Sequence, residues 1–173
     1  MLKIEECKEI LEKVGKILDE SNITYFLVYG TCLGAIRDKG FIKDDTDIDI
    51  GIYAEDVSKL RNIDFGVPLR WFESERKLRV ARYLFKTFLD ISPFYKISGD
   101  WYFLKEYRDG KFLGKKFPAK YFDKLDEIEM YGKKYKVPTD TEDYLTYLYT
   151  EKWREKAPQG TGNLRPLVPI DLK

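Results

Sequence analysis

The chain has 173 residues with 31 Lys plus Arg against 30 Asp plus Glu, a net charge of +1, so no general pull toward nucleic acid or an anionic membrane is expected. That length suffices for one domain with its own core, and no Pro-rich or Ser/Gly-rich linker divides it, so a single domain over 1–173 is expected. Histidine is absent, which excludes Ser-His-Asp and Cys-His nucleophile systems, histidine-ligated zinc and histidyl phosphates, and leaves acid–base work to carboxylates, lysine or tyrosine.

The segment from Met1 to Glu6 becomes charged at once, so neither a signal peptide nor a transmembrane segment is expected, and the protein is expected in the cytoplasm. Ile4, Cys7, Ile10, Leu11, Val14, Ile17 and Leu18 recur at helical spacing and predict an amphipathic helix from about Lys3 to Asp19, ended by Ser21-Asn22. Cys7 falls on its apolar face, and Cys7 and Cys32 are read as two core thiols. Thr24 to Tyr29 predicts a short buried strand stopping at Gly30, and Gly30 to Arg37 a turn that leads into a short helix. Asp47 to Tyr53, reading D-I-D-I-G-I-Y, alternates and predicts a strand whose isoleucines mark the buried face.

A short helix is expected in Ala54 to Asn62, and the apolar run Leu78 to Ser92 predicts one or two strands ending before Pro93. Asp109-Gly110 and Tyr131-Gly132 read as hairpin turns. Thr139-Asp140-Thr141-Glu142 has the T-x-x-E capping spacing, so a helix carrying Tyr144, Leu145, Tyr147, Leu148 and Trp153 is expected. The tail from Ala157, with three prolines and two glycines, is expected to lie extended over the surface.

Residues two apart on a strand share a face, so Asp47 and Asp49 present both carboxylates on one side while Ile48, Ile50 and Ile52 bury the other. Two ionised carboxylates that close repel, and a divalent ion or a shared proton offsets the repulsion. Oxygen ligands favour magnesium or manganese. Gly51 continues that face without a side chain and is expected to leave room for a phosphate. Asp90, in the apolar run Phe88-Leu89-Asp90-Ile91, is the expected third carboxylate, because a charge in such a stretch requires a partner. Gly30-Thr31 offers backbone N–H groups and a hydroxyl to a phosphate oxygen, and Arg37 offers a guanidinium. Ordinary explanations exist for each piece: a D-x-D pair on an exposed strand, tight turns at Gly30 and Gly34, a solvated Arg37, and Asp90 capping a turn before Pro93. The order of strand, Gly-Thr, D-x-D strand and lone Asp in a later strand favours the functional reading over these.

Gly30-Thr31-Cys32-Leu33-Gly34-Ala35-Ile36-Arg37-Asp38-Lys39-Gly40-Phe41-Ile42, followed by Asp45-Thr46-Asp47-Ile48-Asp49-Ile50, resembles the signature of the LicD family, which includes bacterial phosphocholine transferases and the fukutin and fukutin-related proteins. The likeness continues in Leu89-Asp90-Ile91-Ser92-Pro93 and from Phe117-Pro118 through Val137-Pro138 to Tyr147-Leu148-Tyr149. The resemblance implies an α+β, nucleotidyltransferase (polymerase-β-like) fold, a small mixed sheet flanked by helices. It implies transfer of a phospho-alcohol, such as phosphocholine or a polyol phosphate, from a CDP-activated donor to a sugar or glycan hydroxyl. Carried over by position, it implies Asp47, Asp49 and Asp90 as catalytic metal ligands for Mg2+ or Mn2+, with Gly30, Thr31, Gly34 and Arg37 binding the donor.

Two departures bear on donor or acceptor preference: Lys43-Asp44 stands where the family commonly has Pro-Trp, and Thr150 where a Gly often follows the last tyrosine. Two other readings stay open, an NTP-dependent nucleotidyltransferase acting on a small molecule and a non-catalytic nucleotide-binding module. The basic, aromatic stretch Lys111 to Phe117 reads either as a solvated hairpin edge or as a face for a phosphorylated or lipid-linked acceptor, the latter placing the protein peripherally at the inner membrane face.

Overall fold

The computed structural model describes residues 4–43, 45, 47–66, 69–72, 77–81, 88–155 and 166–170. Helix α1 (Ile4–Glu20) turns Cys7, Leu11, Val14 and Leu18 inward, as its apolar period requires, and both cysteines are buried. Strand β1 (Tyr25–Leu27) is shorter than its apolar run predicts, because Val28 already caps helix α2 (Tyr29–Arg37). Gly30 and Thr31 therefore stand in the first helical turn instead of in a loop ahead of it. Strand β2 (Asp47–Tyr53) covers the alternating segment, with Ile48, Ile50 and Ile52 wholly buried. A 3-10 turn at Ala54–Asp56 and the short helix α3 (Val57–Leu60) follow it.

Strands β3 (Leu69–Phe72) and β4 (Lys77–Ala81) form a hairpin that joins β5 (Phe88–Ile97), which β6 (Asp100–Arg108) and β7 (Lys111–Phe117) extend antiparallel. Strand β5 does not end before Pro93 but runs through it. One side of β5 pairs with β2 from Phe88 to Phe94, whereas the other pairs with β4 from Phe88 to Ile91 and with β6 from Phe94 to Ile97. Pro93 falls at that change of partner, where on the β4 and β6 side a missing N–H would forfeit no ladder bond.

A separate ribbon of β8 (Leu125–Met130) and β9 (Lys133–Pro138) precedes helix α4 (Thr141–Tyr149). Asp109-Gly110 and Tyr131-Gly132 close their hairpins with both central residues at positive φ, and Ser98-Gly99 does the same between β5 and β6, a turn the sequence reading missed. The cap of α4 is Asp140, one residue past the expected Thr139, and its side chain makes no capping bond. Thr141 instead donates its hydroxyl to the Pro138 carbonyl at 2.8 Å. Trp153 lies beyond the helix in a 3-10 turn, its indole donating to Thr146 Oγ1 at 3.0 Å.

Residues 157–165 and 171–173 of the predicted extended tail lie outside the described residues. Within the tail, β10 (Val168–Ile170) pairs antiparallel with β7. The main sheet runs β1-β2-β5-β6-β7-β10 with β4-β3 branching from β5, and the β2–β5 pair alone is parallel among the described strands. Helix α1, the buried side of α2 and α4 pack with the sheet into one continuous core, centred on Phe26, Phe94, Phe117, Phe122 and Tyr144. Among the described residues no helix is long and apolar enough to cross a membrane.

Candidate functional site

The parallel register of β2 and β5 sets Asp49 directly beside Asp90, with Asp47 two residues earlier on β2. Paired residues and residues two apart share a face of the sheet, so all three carboxylates project to one side. One oxygen of each lies within 4.8 Å of the others. Asp90 is wholly buried, and Asp47 and Asp49 are half-buried. At that spacing each ionised pair repels by about 3 kcal/mol for an effective dielectric near 20, a penalty that a divalent ion among them reverses.

Helix α2 begins against this cluster. A Cβ on Gly30 would stand 2.9 Å from Asp45 Oδ2 and 3.5 Å from Asp49 Oδ2, so the absence of a side chain lets the helix start beside the carboxylates. Asp45 is thus a fourth acidic residue at the site. The sequence reading quoted it only within the motif, although its spacing of two from Asp47 continues the same alternation. Thr31, 1% exposed, accepts the Asp49 backbone N–H on its hydroxyl at 2.8 Å. The Asp49 carbonyl in turn accepts the Val28 N–H at 3.3 Å, so the peptide on each side of this aspartate is anchored to the β1–α2 junction.

Gly34 and Arg37 stand farther along α2, about 6 Å and about 10 Å beyond Gly30 at the helical rise. A Cβ on Gly34 would stand 2.5 Å from the Gly40 carbonyl, so this glycine admits the 40–42 segment against the helix. The Arg37 guanidinium is held by Asp38 through contacts of 3.1 and 2.8 Å, and it also donates to the Trp153 and Glu155 carbonyls at 3.5 and 3.4 Å. It ties the end of α2 to the turn after α4. The room expected beside Gly51 is not there: a Cβ on Gly51 would fall 2.3 Å from the ring of Phe26, which β1 lays over this glycine.

The sequence reading also passed over Tyr29. It occupies the first position of α2 with φ 46, and its ring packs against Phe94, Phe103 and Phe117 at 6.4, 5.9 and 6.5 Å. Its backbone N–H donates to the Tyr144 hydroxyl at 3.4 Å. Its own hydroxyl is buried and has no hydrogen-bond partner. Burial pushes this phenol well above its usual range, and the Asp49 carboxylate pushes it further. Tyr149 is raised for the same reasons, first by burial and then by Asp49.

Lys115 and Lys116, grouped in the sequence reading, part company in the sheet. Lys116 pairs with Asp100 at 2.7 Å. Lys115 stands opposite Phe103, which stands opposite Phe94, and this places it on the aspartate face. Its ammonium lies 5.6 Å from the centre of the Tyr29 ring. From Phe112 to Gly114 strand β7 is not a free hairpin edge, because β10 pairs with it there.

The family profile described as LicD/FKTN/FKRP, nucleotidyltransferase domain, matches residues 22–140. The chain is 30% identical over 154 residues to the ribitol-5-phosphate transferase FKTN of Mus musculus, covering 85% of this chain and 33% of that protein. It is also 30% identical to an uncharacterised protein of Rickettsia prowazekii (strain Madrid E), covering 83% of this chain and 53% of that one. It therefore spans about half of one relative and a third of the other. Among solved structures, the lincosamide antibiotic adenylyltransferase LnuA superposes with a TM-score of 0.54 at 15% identity, over 79% of this chain and 83% of that one, a likeness of fold alone. The mixed sheet flanked by helices is accordingly a nucleotidyltransferase fold.

Proposed function

The chain belongs to the LicD/FKTN/FKRP nucleotidyltransferase-domain family, and from that premise we propose that it moves a phospho-alcohol from a CDP-activated donor to a sugar or glycan hydroxyl, with Mg2+ or Mn2+ at Asp47, Asp49 and Asp90. The observation that carries this reading is the convergence of those three carboxylates on one face, beside a helix start kept clear by Gly30. The donor set fits such an ion: three hard oxygens from two adjacent strands, with no thiol or imidazole among them. When bound, the cation would neutralise charge on the donor phosphates and stabilise the oxygens on either side of the transferred phosphorus. The name of the FKTN relative supports the phospho-alcohol class.

In this reaction the acceptor hydroxyl oxygen forms a bond to the phosphorus that bears the alcohol. The bond from that phosphorus to the bridging oxygen breaks, and CMP leaves with the electron pair. An Asp90 oxygen receives the hydroxyl proton, a role for which the chain has no histidine. Thr31 fixes the Asp49 peptide and with it the direction of that carboxylate. Arg37 would have to give up Asp38 to meet a donor phosphate, so any such contact belongs to the liganded state.

The test is a thermal-shift series with CDP-choline, CDP-ribitol, CDP-glycerol and CDP-ethanolamine, each with and without Mg2+. A donor that stabilises only with the ion, in the wild type but not in Asp90→Asn, supports the proposal. Release of pyrophosphate from an NTP would move the chain to nucleotidyl transfer, and no ion-dependent shift with any CDP-alcohol would end the reading.

A further inference from the structure

A buried hydroxyl without a partner is uncommon, because water is lost and nothing replaces it. Among the described residues two buried side-chain oxygens stand this way, Tyr29 Oη and Ser92 Oγ. Ser92 follows Asp90 by two on β5 and opposes Gly51, over which Phe26 is packed. Tyr29 differs in three respects. It adjoins Gly30, whose missing side chain faces Asp45 and Asp49. It holds a left-handed backbone at φ 46, a conformation that costs a bulky residue about 1 kcal/mol or more and so persists where the site requires it. A cation, Lys115, also lies over its ring.

Resting on the function proposed above, we infer that the Tyr29 hydroxyl and the Lys115 ammonium form an oxyanion subsite for the diphosphate of the donor. The phenol supplies the hydrogen bond that it lacks in the unliganded protein, and the lysine, brought to the aspartate face by the β5–β6–β7 register, supplies positive charge. An anion is the matching ligand, because a cation above the ring sharpens the phenol as a donor, and a metal ion among the three aspartates would offset their repulsion of a diphosphate.

Calorimetric titrations of CDP and of inorganic pyrophosphate, both with Mg2+, test this in the wild type, Tyr29→Phe, Lys115→Met and the control Ser92→Ala. Tyr29→Phe is expected to unfold at the wild-type temperature or above, since it removes an unsatisfied group, yet to bind both ligands about tenfold more weakly, the size of one charge-assisted bond. Lys115→Met should weaken both ligands, and Ser92→Ala neither. Wild-type affinities in Tyr29→Phe overturn the inference. So does a loss confined to CDP, which would show a base contact, or a fall of several degrees in its unliganded Tm, which would show a structural partner for the hydroxyl. If the wild type takes up pyrophosphate but not CDP, the cytidine donor fails while the subsite stands; if it takes up neither, both fail.

Discussion

Thr31→Val isolates the link between the start of α2 and the strand that carries Asp47 and Asp49. The two side chains have nearly the same shape, so the change removes little besides the hydroxyl that accepts the Asp49 N–H at 2.8 Å. Thr31 is 1% exposed, which leaves no water to replace the lost acceptor. An amide stranded in this way costs about 1–3 kcal/mol. For a chain of this size each kcal/mol lowers Tm by roughly 2–4 °C, so a drop of about 2–12 °C is expected. Thr31→Ser keeps the oxygen and loses one buried methyl, about 0.8 kcal/mol, so it should lie above the valine variant in Tm. Circular dichroism melts give the stabilities, and calorimetric titration with Mg2+ gives the second effect, a weaker ion affinity in Thr31→Val as Asp49 loses its fixed direction. A valine variant with wild-type Tm and wild-type Mg2+ affinity would refute the reasoning at both steps.

Gly30→Ala should melt close to wild type, because the Asp45 carboxylate that its Cβ meets at 2.9 Å can swing aside, but it should lose most divalent-ion uptake by calorimetry. Unchanged uptake would show that Gly30 does not bound the site. Gly51→Ala should behave in the opposite way: its Cβ meets the buried Phe26 ring, overpacking there costs about 1–3 kcal/mol, and a Phe26→Leu background should recover part of the lost Tm. Alkaline pH should also unfold the protein. The Tyr25 phenol is pushed up to about 12 by burial, and Tyr53, Tyr135 and Tyr144 are raised for the same first cause. The folded chain then holds these protons more tightly than the unfolded one, so stability is full below about pH 10 and falls as pH rises through the folded values. Phenolate absorbance and loss of ellipticity should rise together above that pH, and independent titration of the tyrosines in a folded protein would contradict this.

The elements most legible in the sequence are those whose signal is local. The alternation of Asp47 to Tyr53 marks β2 at both ends, because burial on one face and carboxylates on the other leave a period of two. The Asp-Gly and Tyr-Gly turns announce themselves through positive φ. The family and the fold were also readable, since the Gly30 to Ile50 motif carries them. What stayed hidden depends on partners distant in the chain. Pro93 ends a strand by propensity, yet here it falls where β5 passes from β4 to β6. Gly51 reads as open space until β1 lays Phe26 upon it. Tyr29 looked like the last residue of an apolar run, and only its packing shows a buried hydroxyl left without a bond.

With the cation proposed above, the seam between β2 and β5 would also tie ion affinity to conformation. An unfolded chain keeps Asp47 and Asp49 as neighbours but scatters Asp90, which reaches them only through pairing of strands remote in sequence. Chelation by all three would thus belong to the native ensemble, and a cation at a hundred times its dissociation constant should deepen the native well by about 2.7 kcal/mol. Titrating the ion against a denaturant would then report how intact this seam is, a gauge of folding that requires no knowledge of the acceptor.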